Sequence, residues 1–137
     1  MMTEQEPGRA RVLVVDDDDE LRALIRRALE REGHDVVDHP RGDGVLPLLE
    51  SQPFDAVILD REIPGVSGLD LLPVLRRQHP ETPVIFITAF GGARLASHVL
   101  RIGAARYLEK PFRLGEVVEA VRLVAPGKPP PPPSTRV

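Results

Sequence analysis

No cysteine occurs in the 137 residues. Disulfides, thiolate metal sites and a cysteine nucleophile are therefore all excluded, as suits a reducing compartment. No apolar run approaches the ~18 residues of a membrane span. The opening MMTEQEPGRA is polar and mixed in charge, unlike an export signal. A basic stripe is also missing: the formal net charge is −3, with arginines dispersed along helix-like segments. Direct nucleic-acid binding by this chain has little support on that basis, and a protein partner or a cation fits better. The expected setting is the cytoplasm, away from membranes.

What is present is one domain's worth of chain, 42% hydrophobic and 28% charged. Short β-branched runs at Val12–Val15, Val36–Val37, Ala56–Leu59, Val84–Thr88 and Arg106–Leu108 read as five strands. Helix-period segments follow each of them. Leu21, Leu24, Ile25, Ala28 and Leu29 recur at helical spacing and close on Gly33; weaker patterns cover Val45–Ser51, Leu69–Gln78, Leu95–Ile102 and Leu114–Val124. Apolar strands separated by helices predict an α/β fold, a doubly wound (βα)5 arrangement with a parallel five-stranded sheet covered on both faces. Pro47 and Pro73 fall inside the second and third helices and predict bends there. Residues 1–9 read as a disordered N-terminal segment and 10–124 as the domain. From 125 the chain becomes a proline-rich tail with five successive prolines, read as a linker or disordered end, or alternatively as a ligand for an aromatic-lined groove.

In open parallel sheets, function sits at the carboxyl ends of strands, where the strand order reverses. Four aspartates, Asp16 to Asp19, follow the first strand, and Asp60 follows the third. Asp18 and Asp19 read as capping residues for the first helix, since negative charge suits its positive end. Asp16, Asp17 and Asp60 would meet on one patch, where mutual repulsion calls for a cation. Oxygen ligands without histidine or cysteine favour Mg²⁺, with Mn²⁺ as a substitute. Lys110, at the end of the fifth strand, supplies one more positive charge. His34, His39, His79 and His98 form no ligand or triad spacing and read as solvated surface residues.

The segments VLVVDD, VILDREIPGVSGLDLL, VIFITAF and GAARYLEKPF, in this order and at these intervals, resemble the receiver domain of bacterial two-component response regulators over about residues 10–124. The resemblance implies the flavodoxin-like strand order 2-1-3-4-5. It makes Asp60 the phosphoacceptor, Asp17 and Asp60 direct Mg²⁺ ligands, Asp16 a ligand through water, and the backbone carbonyl of Glu62 a further ligand. Thr88 would hydrogen-bond a phosphoryl oxygen and Lys110 would pair with another. Thr88 and Tyr107 would form a switch, and the Lys110–Pro111 peptide would be cis. The partners it implies are a histidine kinase or phosphotransfer protein, and a downstream protein target or output domain; a phosphorylation-dependent homodimer on the face of the fourth helix, fifth strand and fifth helix is one form of output.

Chemistry supports these roles separately. Phosphoryl transfer needs an in-line nucleophile, a metal bridging the reacting oxygens, and donors where equatorial charge gathers. Ser67 with Asp70 gives a capping signal for the third helix, Ala89 leaves room beside Thr88, and Gly91–Gly92 permits movement of the next loop. Glu62 and Phe90 depart from commoner choices in the family and flank the site entrance. Two other classes fit less well. A haloacid-dehalogenase-type phosphatase would want a second aspartate two residues after Asp60, where Glu62 stands. A receiver-like interaction module that is not phosphorylated usually loses an acidic or lysine position, and all are present. The domain catalyses only its own phosphorylation and dephosphorylation on this reading, and is otherwise no enzyme. A stand-alone receiver and an excised fragment both remain open.

Overall fold

A computed structural model describes residues 9–125. Of the expected terminal segments, 1–8 and 126–137 lie outside the described residues. Arg9 pairs with Asp35 at 2.8 Å, and Ala125 is buried against the core.

Five strands, β1 (Arg11–Val15), β2 (Asp35–His39), β3 (Ala56–Asp60), β4 (Val84–Thr88) and β5 (Arg106–Glu109), form one parallel sheet in the order β2-β1-β3-β4-β5. Helices α1 (Asp19–Arg31), α2 (Val45–Ser51), α3 (Gly68–Gln78), α4 (Ala93–Ile102) and α5 (Leu114–Val124) alternate with them. Each strand and helix lies where the sequence pattern places it, with ends shifted by a residue or two.

Side-chain alternation along the strands builds two cores from one sheet. Leu13, Val15, Val57, Leu59 and Phe86 face α2, α3 and α4, packing on Val45, Leu49, Leu71, Leu72, Leu75 and Val99. Val12, Val14, Ile58, Ile85 and Ile87 face α1 and α5, packing on Ile25, Leu29, Val117 and Val121. Every residue of β3 and β4 is buried, which explains why these strands read as continuous apolar runs rather than alternating ones.

Local signals set the helix ends. Asp18 is the N-cap of α1, its side chain accepting from Glu20 N and Leu21 N. Ser67 Oγ accepts from Asp70 N at 3.1 Å and starts α3. Gly33, at φ +95°, lets the chain leave α1 in the left-handed region while its N–H bonds Glu30 O. Two expectations change. Asp19 is the first residue of α1 rather than a cap; it adds charge to the first turn and pairs with Arg22 at 2.8 Å. Pro47 is the third residue of α2, in its first turn, where a missing donor is tolerated and gives no cause for a bend. Only Pro73 stands in a helix interior, where it removes one i to i−4 bond.

His34 also departs from its expected surface role. It is 7% exposed, and its Nδ1 accepts the Ala10 N–H at 2.9 Å. Ala10 and His34 both fall outside the apolar periodicity, so no pattern in the sequence pairs them. An accepting nitrogen must be unprotonated, and burial lowers the His34 pKa below its ordinary 6.5. The unfolded chain therefore takes up a proton first as pH falls below about 6.5, and the stability that His34 contributes is lost. His34→Ala should cost about 1–3 kcal/mol at pH 7.5 by stranding a buried donor. That cost should shrink below pH 6.5 in urea titrations of both proteins; a pH-independent cost would contradict the neutral-acceptor role.

Candidate functional site

The site lies at the carboxyl ends of β1 and β3, the point where the strand order reverses. The four aspartates of the opening run separate into different environments there. Asp16 is fully buried, and its Oδ1 accepts from Asp18 N at 2.8 Å, a turn that carries the chain from β1 into α1. Arg22 NH1 donates to Asp16 O at 2.6 Å and fixes the same turn from the first helix. Asp17 is exposed and faces the site.

Asp60 ends β3 at 1% exposure. Its Oδ2 accepts from Lys110 Nζ at 3.1 Å, and its Oδ1 accepts from Glu62 N at 3.3 Å. The same ammonium lies 2.9 Å from Asp16 Oδ2. That oxygen is close enough for an ion pair, yet it is buried with no hydrogen-bond donor aligned on it. Lys110 enters from the end of β5, where its N–H bonds Thr88 O at 2.9 Å and its peptide bond to Pro111 is cis. Ligand oxygens of Asp16, Asp17 and Asp60 lie within 4.8 Å of one another.

Burial, reinforced by the Asp16 carboxylate, pushes the Asp60 carboxyl up to about 7 against the pull of the Lys110 ammonium. Burial pulls Lys110 down, but the two carboxylates outweigh it and its pKa is raised. Three carboxylates against one ammonium leave two negative charges in surplus, which a divalent cation would balance. An all-oxygen donor set of three clustered carboxylates, without histidine or cysteine, fits Mg²⁺.

Thr88 closes β4, fully buried. Its hydroxyl is not directed at Asp60. Thr88 Oγ1 donates to Glu62 Oε2 at 2.7 Å and accepts from Phe90 N at 3.0 Å, while Ala89 N donates to Glu62 Oε1 at 3.1 Å. Burial would raise the Glu62 pKa, but these donors prevail and lower it. Arg61 NH1 donates to Phe90 O at 2.9 Å, a second tie between the same two loops. Sequence reading places the Glu62 carboxylate at the site entrance but misses its bonds to Thr88 and Ala89, and it misses Arg61 altogether. Only the Glu62 carbonyl is implied by the family pattern; the one available signal was the unusual carboxylate two residues after Asp60.

Tyr107 is half-buried on β5. Its hydroxyl donates to Glu109 Oε2 at 2.8 Å and accepts from Gly92 N at 3.2 Å. Burial, with help from Glu109, raises the phenol's pKa. The phenol lies over Gly91, where an added Cβ would come within 1.8 Å of the Tyr107 oxygen. Phe90 is 73% exposed beside it. A wider groove of about 850 Å³ lies away from the carboxylates, on the α4–β5–α5 side, lined by Leu100, Tyr107, Arg113, Glu116, Glu119 and Ala120.

The raised Asp60 pKa makes a signed prediction for the metal-free protein. Between pH 3.8 and about 7 the unfolded chain ionises Asp60 while the folded chain resists it, so the group's contribution to stability is lost as pH rises through that window. Asp60→Asn does not titrate. Its stability relative to the parent should grow from pH 4 to 7 and level off above about 8, as read from denaturation midpoints without divalent cations.

Comparison with known proteins accords with this geometry. The family model described as the response regulator receiver domain matches residues 12–122. The transcriptional regulatory protein TcrA of Mycobacterium tuberculosis (strain ATCC 25618 / H37Rv) is 38% identical over 136 residues, covering 94% of this chain and 54% of that protein. The chain thus spans about half the length of that curated relative. The receiver domain of Francisella response regulator 1452 superposes with a TM-score of 0.81 at 31% identity, covering 88% of this chain and 97% of that one. A Burkholderia pseudomallei response regulator, solved with a phosphorylated aspartic acid, calcium ion and citrate, gives a TM-score of 0.75 at 27% identity over 84% of this chain and 68% of that one. The chain belongs to the response regulator receiver domain family of two-component signalling systems.

Proposed function

We propose that this receiver accepts a phosphoryl group on Asp60 from a phosphohistidine of a partner histidine kinase or phosphotransfer protein. The observation that carries this is the convergence of buried Asp60 with Asp16, Asp17 and Lys110 at the strand-order reversal. A relative's phosphorylated aspartic acid and calcium ion, named in its description, support the same reading.

In the reaction an Asp60 carboxylate oxygen attacks phosphorus as the bond from phosphorus to the donor imidazole nitrogen breaks, and the imidazole departs with the bonding pair. Asp17 and Asp60 directly, Asp16 through water and the Glu62 carbonyl would hold Mg²⁺, which when bound supplies charge neutralisation between carboxylate and phosphoryl oxygens. Lys110, already poised between Asp16 and Asp60, follows the new charge to a phosphoryl oxygen. The Thr88 hydroxyl takes another. The product is a mixed anhydride, suited to a transient signal.

Signalling follows from Thr88. Turning its hydroxyl toward the phosphoryl group vacates space at the end of β4, next to the loop on which Tyr107 rests. The ring moves inward, and the α4–β5–α5 groove changes shape as the surface read by a target, an output domain or a second copy. The chain's relatives include transcriptional regulatory proteins about twice its length, so DNA-directed output through a further segment is the natural target class.

Two outcomes check the proposal. Acetyl phosphate with Mg²⁺ should add one phosphoryl group to the parent by intact-mass measurement and none to Asp60→Asn; equal labelling of both would overturn the assignment. Mg²⁺ at ten times its Kd should stabilise the parent by about 1.4 kcal/mol. Asp17→Asn should lose most of that gain, whereas a parent indifferent to Mg²⁺ would contradict the cation site.

A further inference from the structure

We propose that the Glu62 carboxylate is a built-in stand-in for the phosphoryl group, holding the two donors that a modified Asp60 needs and yielding them only when it is displaced. The inference rests on Asp60 being the phosphoacceptor. Thr88 Oγ1 and Ala89 N, at the end of β4, donate to the two oxygens of one carboxylate, Glu62 Oε2 at 2.7 Å and Oε1 at 3.1 Å. A hydroxyl and the next backbone N–H directed at an oxyanion are the kind of donor pair a phosphoryl oxygen would take. They are already filled by an anion covalently fixed two residues beyond Asp60.

The neighbouring contacts make this a latch between two loops. Glu62 and Arg61 leave β3, and Thr88, Ala89 and Phe90 leave β4. Arg61 NH1 donates to Phe90 O at 2.9 Å, and Glu62 N donates to Asp60 Oδ1 at 3.3 Å. The Glu62 side chain keeps 33% of its surface exposed, so it can swing to solvent, whereas Thr88 is fully buried and can only exchange one acceptor for another. Arg61 Nε, 4.0 Å from Glu62 Oε2, is placed to receive the released carboxylate. Thr88 therefore does not wait unpartnered for a phosphoryl group. Glu62 must leave before Thr88 and Ala89 can bond it, and binding is weakened by the fraction of molecules in which the latch is closed.

The test separates a latch from simple repulsion by a nearby negative charge. In the unmodified, metal-free protein the Ala89 amide should exchange slowly and resonate as a hydrogen-bonded N–H. Glu62→Ala should shift that resonance and speed its exchange, while the amides of α1 stay unchanged. With Mg²⁺ present, Glu62→Ala should bind beryllofluoride about tenfold more tightly than the parent, because a competitor equal to one charge-assisted hydrogen bond has been removed. That ratio should persist at 0.5 M salt, where repulsion from a one-third-exposed carboxylate would be screened away. Glu62→Gln, which keeps one acceptor oxygen without the charge, should fall between parent and Glu62→Ala. An unshifted Ala89 amide, equal affinities, or a ratio that vanishes at high salt would each overturn the latch. Normal beryllofluoride binding by the parent in those cases would leave Asp60 as phosphoacceptor intact, whereas no binding by the parent or any variant would overturn both.

Discussion

Two carboxylates, Asp16 and Asp60, are buried side by side at the ends of neighbouring strands, with one lysine between them. Most of what this domain does follows from that constraint. Buried like charges are costly, and Lys110 alone does not compensate both, as the upward-shifted Asp60 pKa shows. The folded core holds this frustration in place. Asp16 and Asp60 are almost wholly buried, so the cost left by Lys110 is met by protonation of Asp60 or by a bound cation.

The alternation of the sheet sorts the site into two halves. Asp16 continues the face of Val12 and Val14, Asp60 that of Ile58, and Lys110 that of Leu108, so the charged triad sits on the α1–α5 side. Thr88 follows Phe86, and Tyr107 packs on the same side, toward α4. Charge is gathered on one side of the sheet, and Thr88 and Tyr107 lie on the other. The Asp60 carboxylate, ending a central strand, is the point at which both halves can be engaged. The β3 and β4 loops, tied by Glu62 and Arg61, cross between them.

The sequence made some of this legible and hid the rest for physical reasons. The five strands, the helices between them and the two-faced core could be read from hydrophobic period, a local signal; the strand order, and with it the meeting of Asp16, Asp17, Asp60 and Lys110, came from the family resemblance, because strand neighbours are not a local property. Asp18 was readable as a cap because capping is also a local signal. His34 was not: its acceptor role depends on the Ala10 N–H, 24 residues earlier, and no periodicity marks a single buried polar contact. Pro47 looked disruptive although the pattern already started α2 at Val45, because its place in the first turn, where a missing donor is tolerated, was not weighed. The Glu62 carboxylate was legible as an extra charge at the entrance, but its bonds were hidden because its partners, Thr88 and Ala89, lie on another strand end.

A crystal structure grown with Mg²⁺ and beryllofluoride tests the central claim most directly. The account predicts beryllofluoride on an Asp60 carboxylate oxygen, a metal ion touching the Asp16–Asp17–Asp60 cluster, Lys110 drawn from Asp16 to a fluorine, and the Thr88 hydroxyl and Ala89 N–H turned from Glu62 to the fluorines. A pocket that binds neither group, with Lys110 still bridging Asp16 and Asp60 and Thr88 still bonded to Glu62, would contradict it.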